Sequence, residues 1–184
     1  EVQQGRNYPY EKKKEMKNIL IIGANGFTGR RILNDLSVNP IYHVTGCSLR
    51  DDICPGKDYR FVRTDIRDEN EVRKLFKECR PDIVINTSAL SVPDYCETHH
   101  AEAEATNVTA VETIAHVCEQ YGSRFIHLST DFVFDGKSTR LYKEEDEAIP
   151  VNYYGVTKLK AEKIIASICS NYAIVRVVVV YGKA

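Results

Sequence analysis

The sequence predicts an α/β protein built on a doubly wound parallel sheet. Three observations carry that prediction. Short apolar runs alternate with stretches of helical periodicity, the runs are apolar on both faces, and a glycine-rich turn follows the first run directly. Runs such as Ile83-Val84-Ile85 suit a sheet covered on both sides, which is the setting of parallel strands. Right-handed crossovers then place helices on both faces.

The elements follow in order. Residues 18–22 read as a first strand, and 30–36 as a helix with Ile32, Leu33 and Leu36 on one face. A second strand is expected over 42–47 and a short third over 60–63. Val72, Leu75 and Phe76 form the stripe of a helix over 69–77, and Pro81 closes that region before a fourth strand at 82–86. One long helix is expected over 102–120, with Val108, Val111, Ile114, Ala115 and Cys118 facing inward. A fifth strand (124–129), a helix (153–170) and a sixth strand (172–180) complete the alternation. The charged, turn-rich stretch 135–150 reads as a loop outside the strand ends.

Composition narrows the function classes. The chain has 184 residues, enough for one domain, and a formal net charge of −1, so no basic excess points to nucleic acid. Its apolar runs are far too short to span a bilayer. Residues 1–15 are polar, carry Lys12-Lys13-Lys14 and precede Met16, the single methionine; they read as an extension outside the fold, and 16–184 as one nucleotide-binding domain. Cysteines 47, 54, 79, 96, 118 and 169 form no C-x-x-C pair, so reduced thiols and a cytoplasmic setting are expected. His99-His100, His116 and His127 show no ligand spacing, and no metal site is expected.

The chemistry starts at Gly23-Ala-Asn-Gly-Phe-Thr-Gly29, between the first strand and its helix. Gly23 permits the tight turn, Gly26 lets the backbone approach a pyrophosphate, and Gly29 allows the helix to pack close to the strand. The helix N-terminus offers N–H groups and a positive dipole end to that anion. The spacing is G-x-x-G-x-x-G, one residue longer than the common dinucleotide fingerprint, within a Rossmann-type unit. Arg50, after the second strand, suits a 2′-phosphate and so NADP(H); NAD(H) stays open, as does a solvated surface arginine.

A second constellation lies downstream. Tyr154 and Lys158 are spaced i, i+4 and share one helix face, where an ammonium would favour the phenolate and lower the tyrosine pKa. Ser129-Thr130-Asp131 ends the fifth strand, putting hydroxyls at the carboxyl edge, where open α/β sheets bind ligands. The chemistry implied is hydride transfer with Tyr154 as general acid. A plain turn cap is the other reading of Ser129-Thr130.

These residues carry a resemblance. With Asp65-Ile66, Asn86-Thr-Ser-Ala89, Asp94-Tyr-Cys-Glu97, Ser129-Thr-Asp-Phe-Val-Phe-Asp-Gly136, Pro150-Val-Asn-Tyr-Tyr-Gly155 and Lys158, the chain resembles the extended short-chain dehydrogenase/reductases, most closely the dTDP-4-dehydrorhamnose reductase branch. The resemblance implies Thr130, Tyr154 and Lys158 as catalytic residues, with Thr130 and Asp131 touching substrate. It implies a cofactor held by Gly23, Asn25, Gly26, Phe27, Thr28, Gly29 and Arg50. Asp65 and Ile66 are implied beside the adenine, Ser88, Ala89 and Leu90 along the cofactor, and Tyr154 and Lys158 at its far end. It also implies a nucleotide-linked 4-keto-6-deoxysugar as substrate; a homodimer is left open.

Two departures lead to alternatives. Val179 stands where the branch places an aromatic residue, and Val92-Pro-Asp94 departs from the usual lead-in. Both features are similar to the regulatory β subunit of methionine adenosyltransferase, a binding partner with the same fold. An epimerase or dehydratase is the third reading, although Asp131 is followed by Phe132 rather than by a second acid. The resemblance further implies a C-terminal part that shapes the sugar pocket. With the sequence ending at Ala184, that substrate domain is expected to be largely absent.

Overall fold

A computed structural model describes residues 15–55 and 58–182. The extension expected over residues 1–15 falls outside them except for Glu15. Strands β1 (Lys17–Ile22), β2 (Tyr42–Ser48), β3 (Arg60–Arg63), β4 (Ile83–Asn86), β5 (Arg124–Thr130) and β6 (Tyr172–Val177) form one sheet in the order β3-β2-β1-β4-β5-β6. Every pairing is parallel, so the doubly wound architecture stands as read. The strand order reverses between β1 and β4, and the crevice above that point is where such sheets take ligands.

The two faces of β1 explain its unbroken apolar run. Ile19 and Ile21 pack with Val44 and with Leu33 of α1 (Phe27–Ser37) on one side. Leu20 and Ile22 pack on the other with Val84 and Phe125, against α2 (Glu69–Cys79), α5 (Ala110–Tyr121) and α6 (Tyr153–Ile168). Each such side chain, fully buried, contributes roughly 1.5–3 kcal/mol. Local signals set the helix ends. Asp68 caps α2 by accepting from the Asn70 and Glu71 amides, Asn152 caps α6 at the Gly155 amide, and Gly122 ends α5 with φ +68°.

Three expectations change. The helix expected over 102–120 is present but carries a π-turn: α4 (His100–Glu104) runs on through Ala105–Thr109 into α5 without leaving helical backbone. One added residue per turn barely disturbs an apolar stripe, so the period conceals it. A short helix, α3 (Pro93–Thr98), precedes it with Pro93 in its first turn. The sixth strand stops at Val177, not Val180, because its partner β5 ends at Thr130, directly opposite. Residues 135–150 contain no helix or strand, as expected, and Tyr142 stacks on Phe134 at 4.3 Å to hold that loop. Among the described residues, no helix is long and apolar enough to cross a membrane.

Candidate functional site

The glycine turn is built by exclusion of side chains. Gly23 has φ +82°, and a Cβ on it would lie 2.7 Å from the Ser88 amide nitrogen. A Cβ on Gly29 would lie 2.3 Å from the Gly23 carbonyl oxygen. The turn therefore brings α1 hard against β1 and β4. α1 follows Gly26, its N-cap, with no side-chain cap and no acidic residue in its first turn, so its leading N–H groups remain available to an anion. This cradle, which a Cβ would fill, fits the pyrophosphate of a dinucleotide.

Two adjoining clefts run along the carboxyl edge. One, of about 700 Å3, brings together Gly23, Gly26, Phe27, Thr28 and Gly29 with Ser88, Ala89, Thr130, Asp131, Tyr154 and Lys158. The other, of about 260 Å3, is lined by Asp65, Ile66 and Leu90 and shares Gly23, Ser88 and Ala89 with the first. Twelve of the fourteen residues assigned to the cofactor by resemblance therefore meet in one continuous groove. Asn25 and Arg50 line neither cleft. Asn25 instead donates to the carbonyls of Arg50 (3.2 Å) and Asp51 (2.9 Å) and accepts from Arg30, tying the glycine turn to the segment after β2.

At the Thr130 and Tyr154 end of the cleft, α6 and the turn after β5 face each other. Thr130 accepts from the Phe132 amide at 3.2 Å, so its hydroxyl caps the turn while its residue lines the cleft. The two readings of this threonine are compatible. Phe132 meets the Tyr154 ring edge-on, with centroids 6.0 Å apart. Ser129 donates to Glu162 of α6, whose carboxylate also receives Arg176 of β6.

The electrostatics differ from the expectation. Lys158 does not reach Tyr154: its Nζ lies 2.8 Å from His127 Nε2 and donates to the Leu128 carbonyl at 2.6 Å. Lys158 is only 1% exposed, and burial draws its pKa down to about 7 against the raising pull of Glu162. Tyr154 is pushed above the ordinary phenol value, chiefly by burial and then by Cys96 and Asp131, while Thr130 beside it pulls the other way. A lysine with its amine turned into the sheet cannot lower the phenol by charge. Asp65 is held below the usual carboxylate range, first by the guanidinium of Arg67.

Sequence reasoning missed Asn107 and His127. Asn107, in the π-turn, accepts from the Leu90 amide at 2.8 Å and donates to the Leu90 carbonyl and to Thr157 Oγ1, pinning the cleft-lining segment at Leu90 to α6. Its signal was an amide on an otherwise apolar helix face. His127 shows no ligand spacing, but its alternation with Phe125 along β5 places it in the interior, where an imidazole needs partners.

A family profile described as "RmlD substrate binding domain" matches residues 16–184. The chain belongs to that family. It is 32% identical over 167 residues to methionine adenosyltransferase 2 subunit beta of Bos taurus, covering 91% of this chain and 48% of the relative. It is 35% identical over 162 residues to "Probable low-salt glycan biosynthesis reductase Agl14" of Haloferax volcanii, covering 88% and 53%. Among solved structures, the dTDP-4-dehydrorhamnose reductase of Bacillus anthracis in complex with NADP superposes with a TM-score of 0.77 at 26% identity, over 92% of this chain and 56% of that one. The chain thus spans about half the length of the relatives it matches.

Proposed function

We propose that this chain is the cofactor-holding half of an NADP(H)-dependent reductase acting on a nucleotide-linked 4-keto-6-deoxysugar. One observation carries the reading: the uncapped α1 N-terminus, Thr130 and Tyr154 all open onto a single cleft. The relative from Bacillus anthracis supports NADP(H) as cofactor and a keto-sugar nucleotide as substrate; NAD(H) is the second candidate cofactor.

When bound, the nicotinamide supplies the hydride. The N–H groups at the start of α1 would hold the pyrophosphate, while Asp65, Ile66 and Leu90 would line the adenosine end. Tyr154 donates its phenolic proton to the ketone oxygen as that oxygen gains charge. Its raised pKa keeps the proton in place at neutral pH, which suits the reducing direction. Thr130, and Asp131 beside it, position the same oxygen. Lys158 lines the same cleft, and its amine would have to leave His127 and the Leu128 carbonyl to reach a ribose hydroxyl of the bound cofactor.

The test is NADPH consumption with dTDP-4-keto-6-deoxymannose. Tyr154→Phe removes the proton and keeps the ring, so turnover is lost while NADPH affinity stays within about twofold, well under the tenfold that 1.4 kcal/mol represents. Full turnover by that variant overturns the assignment of the acid. A second reading is favoured by the similarity to the adenosyltransferase β subunit: a non-catalytic partner subunit with the same cofactor groove. A stable complex with a methionine adenosyltransferase catalytic subunit, with no NADPH consumption, selects it.

A further inference from the structure

Lys158 and His127 are both buried, and their hydrogen bonds have a direction that one fixed donor determines. The Ser88 backbone N–H can only donate, and it does so to Asn86 Oδ1 at 3.0 Å, alongside the Ser88 hydroxyl at 2.6 Å. That fixes the amide of Asn86, which is fully buried, with its Nδ2 toward His127 Nδ1 at 3.2 Å. Nδ2 is a donor, so Nδ1 must accept. The imidazole is then neutral and carries its proton on Nε2, which points at Lys158 Nζ 2.8 Å away. An ammonium has three donors and no acceptor, and would meet that N–H donor to donor. A neutral amine accepts from Nε2 and still donates to the Leu128 carbonyl.

We propose that Asn86 and His127 are positioning residues that hold Lys158 as a neutral amine, turned into the sheet, when the cleft holds no cofactor. The other groups around Lys158 do not reverse this. Glu162 lies on the same helix and favours the charged form, but its carboxylate is bound by Arg176 and Ser129. Tyr154, one helical turn earlier, is pushed up and stays a neutral phenol. Burial drives Lys158 down to about 7, and it lowers His127 well below the ordinary histidine value, in agreement with the hydrogen-bond logic. The consequence is chemical: a neutral Lys158 leaves the proton on Tyr154, the form able to give it away. The inference concerns the hydrogen-bond geometry of the cofactor-free chain and not the reaction, so absence of turnover would sink the reductase reading and leave this one standing.

The experiment is NMR on the cofactor-free chain labelled with 15N in histidine and 13C at lysine Cε. His127→Gln and Lys158→Met identify the two sets of signals. The expected result is a Lys158 midpoint near pH 7 and, above it, where the amine is neutral, a neutral His127 protonated on Nε2. Protonation on Nδ1, an imidazolium, or a lysine that stays charged until about pH 10, as free lysine does, overturns the proposal. Asn86→Asp adds a directional check. A carboxylate only accepts, so it draws the proton to Nδ1, turns Nε2 into an acceptor and raises the proton affinity of Lys158 tenfold or more. An unchanged midpoint in that variant contradicts the relay; if it fails to fold, the wild-type spectra decide alone.

Discussion

Gly29→Ala separates the cost of folding from the cost of binding. The added Cβ would lie 2.3 Å from the Gly23 carbonyl oxygen and 2.6 Å from Thr87 Oγ1. Even close C···O contacts are about 3.3 Å, so the turn or the start of α1 must move by roughly 1 Å. Alanine returns about 1 kcal/mol of helix propensity, while overpacking costs about 1–3 kcal/mol, leaving a net loss of up to about 2 kcal/mol. The same shift carries the leading N–H groups of α1 out of line with the anion. Two weakened hydrogen bonds to a charged group, at about 1.5 kcal/mol each, predict NADPH binding roughly a hundredfold weaker. The comparison is Gly122→Ala. Its φ of +68° imposes about 1–2 kcal/mol of strain, but nothing lies within 4 Å of the new Cβ, and it ends α5 away from the clefts. Urea unfolding should therefore find the two variants similarly weakened, and an NADPH titration should find only Gly29→Ala impaired. If Gly29→Ala binds NADPH within about twofold of wild type, the close-packed cradle is not what holds the anion.

Two further predictions concern the buried polar groups. Asn107→Ala leaves the Leu90 amide without its acceptor, which costs about 1–3 kcal/mol and should speed hydrogen exchange at Leu90 specifically; unchanged exchange there would remove Asn107 as the anchor. Lys158 has a folded-state pKa of about 7, below the ordinary value of about 10.4, so between those limits the unfolded chain binds more protons and this group adds stability as pH rises. Below about pH 7 both states are protonated and the full penalty of the buried charge remains. Relative to Lys158→Met, the wild type should therefore gain up to about 1.4 kcal/mol per pH unit on going from pH 7 to pH 8, read from paired urea melts; a flat difference refutes the assignment.

The sheet was legible because a strand covered on both faces leaves an unbroken apolar run, as Ile19–Ile22 shows. The glycine turn was legible because each glycine answers a steric demand of its own. What the sequence hid was direction. Tyr154 and Lys158 do share a helix, but i, i+4 spacing says nothing of a third group, and His127 draws the amine away from the phenol. Arg30 was equally hidden: it lies outside the apolar face of Ile32, Leu33 and Leu36, yet is buried and bound to Asp52 and Tyr59, side chains more than twenty residues along the chain. Val178–Val180 read as strand because apolar character persists there, whereas pairing ends with the partner. In each case the deciding neighbour is remote in sequence.

That remoteness has a kinetic consequence. The order β3-β2-β1-β4-β5-β6 gives every strand a parallel neighbour, so no pair closes through a tight hairpin, and each requires a long crossover to be in place first. The groove draws on the ends of β1, β4 and β5 and on the start of α6, so it exists only once the middle of the sheet is assembled. A partly folded chain would offer the dinucleotide nothing to grip. Cofactor should therefore leave the rate of folding nearly unchanged and act almost wholly by slowing unfolding, making the loaded protein long-lived rather than quick to form.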